Sequence, residues 1–294
     1  MKPPKVLMLL IFLCSSAIKL FSQEIDKSVT VSLFTGAINY QGDLHPNSFT
    51  FAHSNFATGI TFRKPINRWF TLRAGIHSGK IEANDKWNRD YLKPRNLSFA
   101  TSIKEAHAGL EINVLDISTN RFTPYLYGGM AVFHFNPWAN DNSGNKIYLK
   151  PLSTEGQGLP QYPEQKPYNL TQISLAFGGG IKFSVSDAIN IGIEVSQRKS
   201  FTDYIDDVSS IYVDKDVLLQ EKGAKAVEMA YRGGLSPQGS PQYPAHGEQR
   251  GTPSEMDWYY FFGFTTEIRL ASITNISFSS RKVASQRCPR PVGY

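Results

Sequence analysis

Phe56-Ala57-Thr58-Gly59-Ile60-Thr61-Phe62-Arg63 is the stretch from which the fold is read. In an extended chain successive side chains point to opposite faces. Phe56, Thr58, Ile60 and Phe62 therefore share one face, and Ala57, Gly59, Thr61 and Arg63 share the other. Such a segment is a strand between two different environments, one greasy and one polar.

The same period recurs along nearly the whole chain. Residues 70–79 set Phe70, Leu72, Ala74 and Ile76 against Thr71, Arg73, Gly75, His77 and Gly79. Residues 105–114 set Ala106, Ala108, Leu110, Ile112 and Val114 against Glu105, His107, Gly109, Glu111 and Asn113. In 189–198, Ile189, Ile191, Ile193 and Val195 oppose Asn190, Gly192, Glu194, Ser196 and Arg198. In 258–270, Tyr260, Phe262, Phe264, Ile268 and Leu270 oppose Gly263, Thr265, Glu267 and Arg269. Residues 29–39, 124–136 and 172–183 bring the expected strands to eight, with 124–136 the least regular.

The connections alternate in length. Those at 65–68, 116–121 and 186–188 are short, and those at 41–54, 81–96, 137–168 and 200–257 are long. An up-and-down transmembrane β-barrel has this pattern, with brief periplasmic turns and long outer loops. The expected fold is thus all-β, an eight-stranded up-and-down barrel at residues 23–270. Alternation alone leaves a second possibility open, a soluble lipocalin-like barrel with the apolar face inside. Glycines on the polar face favour the membrane form, because a narrow lumen needs them to make room for neighbouring Arg and Glu side chains. Aromatic residues near strand ends (Trp69 and Phe70, Tyr125 and Tyr127, Phe133 and Phe135, Trp258 to Tyr260) are expected to form interfacial girdles.

On this reading the lumen holds Arg63, Arg73, Lys182, Arg198 and Arg269 with Glu105, Glu111, Glu194 and Glu267. A low-dielectric interior keeps such charges only when they are paired. Eight strands also leave an interior that side chains fill. The expectation is a plugged barrel, with His77 and His107 as polar filler beside the carboxylates.

The ends of the chain carry other signals. Lys2 and Lys5 precede an apolar run, Val6 to Leu13, and small or polar residues follow to Gln23. This describes a secretory signal peptide at 1–22. Leu13 is too bulky for Cys14 to be a lipoprotein cysteine, so the mature chain keeps one cysteine, Cys288, and no internal disulfide. Residues 271–294 form a tail expected in the periplasm, with Arg281, Lys282, Arg287 and Arg290 and no acidic residue. Two readings of it stand side by side. One is a solvated end. The other is a docking peptide in which Arg281, Lys282, Arg287, Cys288 and Arg290 contact an acidic periplasmic partner, the cysteine open to an intermolecular disulfide.

Composition narrows the function classes. Of the 294 residues 41% are hydrophobic and only 19% charged, and the net charge is +6. The basic residues are scattered, without zinc-ligand spacing or a nucleic-acid motif, so no nucleic-acid partner is expected. The chain has no Gly-x-Ser-x-Gly, His-Glu-x-x-His or phosphate-binding loop, and no enzyme is expected. Residues 201–209 concentrate carboxylates, but EF-hand spacing is absent and bonding within the loop is the simpler expectation, so no metal or cofactor is assigned. Residues 216–232 read as a short helix, and 235–254, rich in Pro, Gly and Gln, as disordered or loosely held.

Several separate stretches carry a family resemblance. They are Asn39-Tyr40-Gln41-Gly42-Asp43-Leu44, Arg95-Asn96-Leu97-Ser98-Phe99, Arg121-Phe122-Thr123-Pro124-Tyr125 and Phe133-His134-Phe135-Asn136-Pro137. To these are added Pro151 to Gly158, Arg198 to Tyr204 with Asp206-Asp207-Val208-Ser209, and Asp257-Trp258-Tyr259. In them the chain resembles the PorG-like family of Bacteroidota outer-membrane barrels. That resemblance implies a non-enzymatic barrel in the outer membrane, in contact with its lipids. It further implies a role in the type IX secretion system, anchoring a periplasmic ring of PorK-like lipoprotein and PorN-like protein through periplasmic turns and tail. The alternative is a small barrel that binds ligands or surfaces through its outer loops.

Overall fold

A computed structural model describes residues 28–46, 50–116 and 120–271 of the chain. The expected signal peptide and almost all of the expected tail, including Arg281, Lys282, Arg287, Cys288 and Arg290, lie outside the described residues.

Eight long strands run antiparallel to their neighbours and close on themselves. They are β1 (Thr30–Gln41), β2 (Asn55–Pro65), β3 (Phe70–Asn84), β4 (Ser98–Asn113), β5 (Phe122–His134), β8 (Thr171–Ser184), β9 (Ile189–Ser200) and β10 (Trp258–Arg269). Two three-residue strands, β6 (Trp138–Asn140) and β7 (Lys146–Tyr148), form a small hairpin on an outer loop that joins β4 at Ala100↔Trp138. Around the barrel the order is β1-β2-β3-β4-β5-β8-β9-β10, and β1↔β10 pairing from Thr30↔Arg269 to Gln41↔Trp258 completes the ring. Closure leaves no unpaired strand edge, which a bilayer would penalise. Among the described residues no helix is long and apolar enough to cross a membrane.

The wall presents its apolar side chains outward. Phe62, Leu72, Ile76, Ile112, Leu126, Met130, Ile173, Ile193 and Phe264 are exposed. Their alternate neighbours Thr61, Arg73, His77, Glu111, Thr123, Glu194 and Thr265 are buried inside. A water-soluble barrel requires the reverse, so the lipocalin-like alternative is set aside: this wall faces lipid.

That polarity does not hold along the full strand length. The direct partners Thr35, Thr58, Ser78, Lys104, His134 and Thr171 form one diagonal polar row on the outside of β1, β2, β3, β4, β5 and β8. Beyond it the pattern inverts. On β3, Ile81 and Ala83 point inward and are buried, while Lys80, Glu82 and Asn84 turn outward. On β4 the inward residues are Phe99, Thr101 and Ile103, and on β1 they are Ile38 and Tyr40. The barrel therefore continues past the bilayer as a water-soluble barrel with an apolar core. Strands of 15 and 16 residues, β3 and β4, carry this extension. At about 3.3 Å per residue β4 is roughly 50 Å long, well beyond a membrane crossing.

Strand parity corrects the expected aromatic girdle: Tyr125 and Tyr127 point into the polar lumen, and Phe133, Phe135 and Tyr259 into the apolar core above it. Tyr125, Tyr127, Phe133, Phe135 and Tyr259 are inside the barrel and buried, not at the lipid interface. Tyr260 has outward parity but is covered by the 50–54 loop, its hydroxyl 3.1 Å from the Thr50 carbonyl. Of the expected set, Trp69 and Phe70 remain on the exposed wall, and half-buried Trp258 lies on the outer face, edge-on to exposed Phe177.

The short turns are locally determined. Asn67 Oδ1 accepts from the backbone N–H groups of Trp69 and Phe70, closing the β2–β3 turn. Ser186 does the same for Ala188 and Ile189 between β8 and β9. The expected helix at 216–232 is two helices, α1 (Lys215–Lys222) and α2 (Ala224–Ala230), broken at Gly223, whose φ of +83° suits glycine.

Candidate functional site

Two buried polar systems fill the barrel, one below the polarity inversion and one above it. The lower is the expected charge network. Arg63 and Arg73 are direct partners across β2 and β3, an arrangement that repels unless carboxylates from other strands intervene. Glu194 on β9 does so. It accepts from Arg63 Nη2 at 2.9 Å, from Arg73 Nη1 and Nη2 at 3.1 and 3.0 Å, and from the Tyr125 hydroxyl at 2.6 Å. Arg63 also reaches Glu111 at 3.2 Å and bonds Glu267. Lys182 bonds Glu111 and lies 3.5 Å from Glu267.

Arg198 and Glu105 form a second, bidentate pair higher in the lumen, at 2.8 and 2.7 Å. Tyr127 links the two groups: the Arg73 guanidinium lies 3.6 Å over its ring, and Arg198 donates to its hydroxyl at 3.2 Å. Eight of the nine expected lumen charges are therefore brought together and buried. Arg269 differs: it is half-buried at the barrel's end, paired in the ladder with Thr30.

Glycines position these side chains. Glu194 lies between two ladder partners, Gly180 and Gly263, and Arg73 has Gly109 on its other flank. The contacts are more varied than the sequence suggests. A Cβ on Gly59 would sit 1.6 Å from the His77 ring, and one on Gly180 would sit 2.8 Å from the Tyr125 hydroxyl. The glycines thus admit aromatic rings as well as Arg and Glu. His77 and His107 flank Glu105 just beneath Phe34 and Phe261, at the level where the interior changes from polar to apolar.

Above them the outer loops enter the mouth of the barrel. Leu44, Leu97, Phe135, Leu149, Tyr168, Ile205, Val208 and Met229 join Phe34, Ile38, Phe99, Ile103, Phe133 and Phe261 in one hydrophobic core. A smaller core, Val213, Leu218, Ala226 and Ala230, seats α1 and α2 on this cap. Burial of that apolar area drives closure, and a buried polar system fixes its register.

Arg250 donates to Glu155 Oε1 at 2.8 Å, to the Asp207 carbonyl at 2.6 Å and to the Ala230 carbonyl at 3.1 Å. Glu155 also accepts from the backbone N–H groups of Ser209 and Ser210, at 2.9 and 3.0 Å. Arg95 grips Asp85 through two bonds of 2.9 and 2.7 Å and also bonds the Arg250 carbonyl. The 235–254 stretch is therefore not loosely held throughout: Arg250 is a buried tie, and the half-buried Tyr243 packs against the Tyr212 and Tyr231 rings.

The carboxylates of 201–209 bond largely with the cap itself. Asp207 accepts from Thr154 and Tyr168 at 2.6 and 2.7 Å, and Asp206 from the Val208 N–H at 2.9 Å. Asp206 and Asp257 each lie 2.7 Å from the single Tyr40 hydroxyl. One hydroxyl proton serves only one of them, so the second contact needs a protonated carboxyl. Burial, reinforced by neighbouring carboxylates, accordingly holds both Asp206 and Asp257 well above the usual carboxylate range. Burial and Asp206 push Asp203 to about 9, and burial raises Asp207 to about 6 despite Arg250.

Most of the stretches that carry the family resemblance meet in this cap, through Tyr40 and Asp43, Arg95, Glu155, Asp203 to Asp207, and Asp257; Arg121 to Tyr125 lies at the other end of the barrel. Sequence reading assigned them no site. The available signal was the recurrence of Asp, Glu or Arg beside aromatic residues in loops, which a solvated loop does not require.

The fold and its contents define a class: a closed eight-stranded barrel of outer-membrane type with a filled, charge-paired lumen and a packed loop cap. The chain belongs to the family described as Domain of unknown function (DUF6089), which matches residues 4–218. No curated protein matches the sequence significantly. Among solved structures the chain is similar to Neisserial surface protein A, at 8% identity and a TM-score of 0.39, over 82% of this chain and 96% of that one. It is similar to Ail, the attachment invasion locus protein of Yersinia pestis, in complex with the heparin analogue sucrose octasulfate; identity is 8%, TM-score 0.38, and coverage 83% and 100%. It is also similar to the outer membrane protein OprG of Pseudomonas aeruginosa, at 10% identity and TM-score 0.37, over 83% and 97%.

Proposed function

We propose that this protein is a non-enzymatic outer-membrane barrel that anchors or positions a periplasmic assembly, the ring of a type IX secretion system. One observation carries the reading: the lumen is occupied by interlocked ion pairs and its outer mouth by a packed cap. A barrel so filled offers no water-lined path, so its useful surfaces are its two ends. On the proposed topology the short turns face the periplasm, and the basic, acid-free segment 271–294 follows the last strand on that side. A cationic peptide of this kind suits an acidic partner, with steering by charge and Cys288 available for a covalent link in an oxidising compartment. The PorG-like motifs support the same direction, and a PorK-like lipoprotein with a PorN-like protein is the partner they imply.

The test is a mild-detergent pull-down from outer membranes, with and without reductant, of the full chain and of a chain lacking 271–294. The full chain should recover a periplasmic lipoprotein, partly as a reductant-sensitive adduct, and the shortened chain should not. Unchanged recovery after the deletion refutes the tail's role.

A second reading is favoured by one observation, the cap's own cores, which give the outer loops a pre-formed surface. On it the protein recognises a ligand or surface outside the cell. Trimming 200–257 separates the two: secretion survives if the tail is the working part, and surface binding is lost if the cap is.

A further inference from the structure

His77 on β3 with Glu105 and His107 on β4 is a cluster that the charge network does not explain. We propose that these three residues bind a divalent metal ion of the zinc type inside the barrel.

All three are buried, and their ligand atoms lie within 4.8 Å of one another. His77 Nδ1 is 3.6 Å and His107 Nδ1 is 3.3 Å from the same carboxylate oxygen, Glu105 Oε1. Zinc binds His nitrogen and carboxylate oxygen at about 2.0–2.2 Å, so ligand atoms on a tetrahedron are about 3.3–3.6 Å apart. Both separations match that edge. Hydrogen bonding does not account for them: neither Nδ1 atom has a hydrogen-bond partner, although each is close to Glu105. Two buried imidazole nitrogens without a well-aligned hydrogen bond, both within 3.6 Å of one carboxylate oxygen, are an arrangement a cation satisfies.

The surroundings fix the ligands in the required state. His107 Nε2 is 3.5 Å from Thr61 Oγ1. In the tautomer where Nε2 carries the proton and Thr61 accepts it, the Nδ1 lone pair is free for a metal. Glu105 is held on both oxygens, by the Arg198 fork and by the Tyr259 hydroxyl at 2.8 Å from Oε2. A two-His, one-carboxylate set leaves one coordination position open. The buried lumen pairs four cations, Arg63, Arg73, Lys182 and Arg198, with four carboxylates, Glu105, Glu111, Glu194 and Glu267. A hydroxide or chloride in the fourth position would offset one of the two positive charges that a divalent ion brings to this balanced set. The phenyl rings of Phe34 and Phe261 beside His77 keep bulk water from the site.

The experiment refolds the full chain into detergent with zinc chloride, passes it over a chelating resin and measures retained metal by mass spectrometry. Wild type should keep one zinc per barrel. His77→Gln and His107→Gln should each lower affinity by at least about tenfold, while both still show the heat-dependent gel shift of a folded barrel. Cobalt loading supplies a readout independent of the variants: intense visible bands of a tetrahedral ion are expected in wild type. Absence of retained zinc and of those bands in wild type overturns the proposal. So does zinc held equally by both folded variants, which would place the metal elsewhere on the chain.

Discussion

Glu194→Gln is the most informative single change in the lumen. Glu194 takes four hydrogen bonds from three residues, Arg63, Arg73 and Tyr125, all buried. The amide keeps the shape but loses the charge, and it turns an NH2 group toward guanidinium donors. Four buried cations then face three carboxylates. Removing one partner of a buried ion pair costs about 3–5 kcal/mol, mainly because the other charge stays buried without compensation. That is roughly two to nearly four orders of magnitude in the folding equilibrium. The cost should be recovered in large part by Arg73→Met in the same chain, since Arg73 is the residue Glu194 holds by two bonds and its removal restores balance at three and three. The cycle should show a coupling of about 2 kcal/mol or more. Urea unfolding in detergent micelles, followed by tryptophan fluorescence and gel mobility, measures all four proteins. A single variant within about 1 kcal/mol of wild type, or a double variant as unstable as the sum of both singles, refutes the reasoning.

Gly59→Ala should destabilise the barrel by about 1–3 kcal/mol through overpacking, because its Cβ would overlap the His77 ring. Gly128→Ala, whose Cβ meets nothing within 4 Å, should stay within about 0.5 kcal/mol of wild type; equal effects in the same unfolding assay would count against the lumen packing. The cap should loosen as pH rises. Asp203 and Asp207 bind protons more tightly in the closed cap than when unfolded, with pKa values near 9 and 6. Their stabilising contribution is complete below their unfolded pKa of about 4, fades as pH rises through 6, and is lost by about 9. Protease resistance of loop 201–257, normalised to an unfolded substrate, should fall from pH 5 to pH 9, and Asp203→Asn should flatten the slope. Resistance that rises with pH would contradict this sign.

The strands inside the bilayer were legible because one rule governs each residue there: apolar toward lipid, polar toward the lumen. Residues 59–63 and 189–196 follow it throughout, and the strands fall close to where alternation places them. The rule reverses beyond Gly79 on β3 and before Glu105 on β4, where the outside is water. Period-two alternation continues there with its sign changed, so Ile81, Phe99 and Ile103 read as the end of a pattern rather than its inversion. The same reversal explains why Phe133, Phe135 and Tyr259 looked like interfacial aromatics. The lower charge network was legible for a related reason, since Arg and Glu on the lumen face have no solvent and must find one another. The cap was not. Its ties join residues 95, 166 and 217 positions apart, Arg250 to Glu155, Tyr40 to Asp206 and Tyr40 to Asp257, and no local period records them.

A filled and shut lumen is the observation on which the proposed anchoring role rests, and conductance tests it most directly. Purified full-length protein reconstituted into planar bilayers should give no stable channel steps at any salt concentration in which the gel shift shows it folded. Large, long-lived conductance from that folded protein would mean an open path through the Arg63–Glu194 network and the cap, and would contradict the plug.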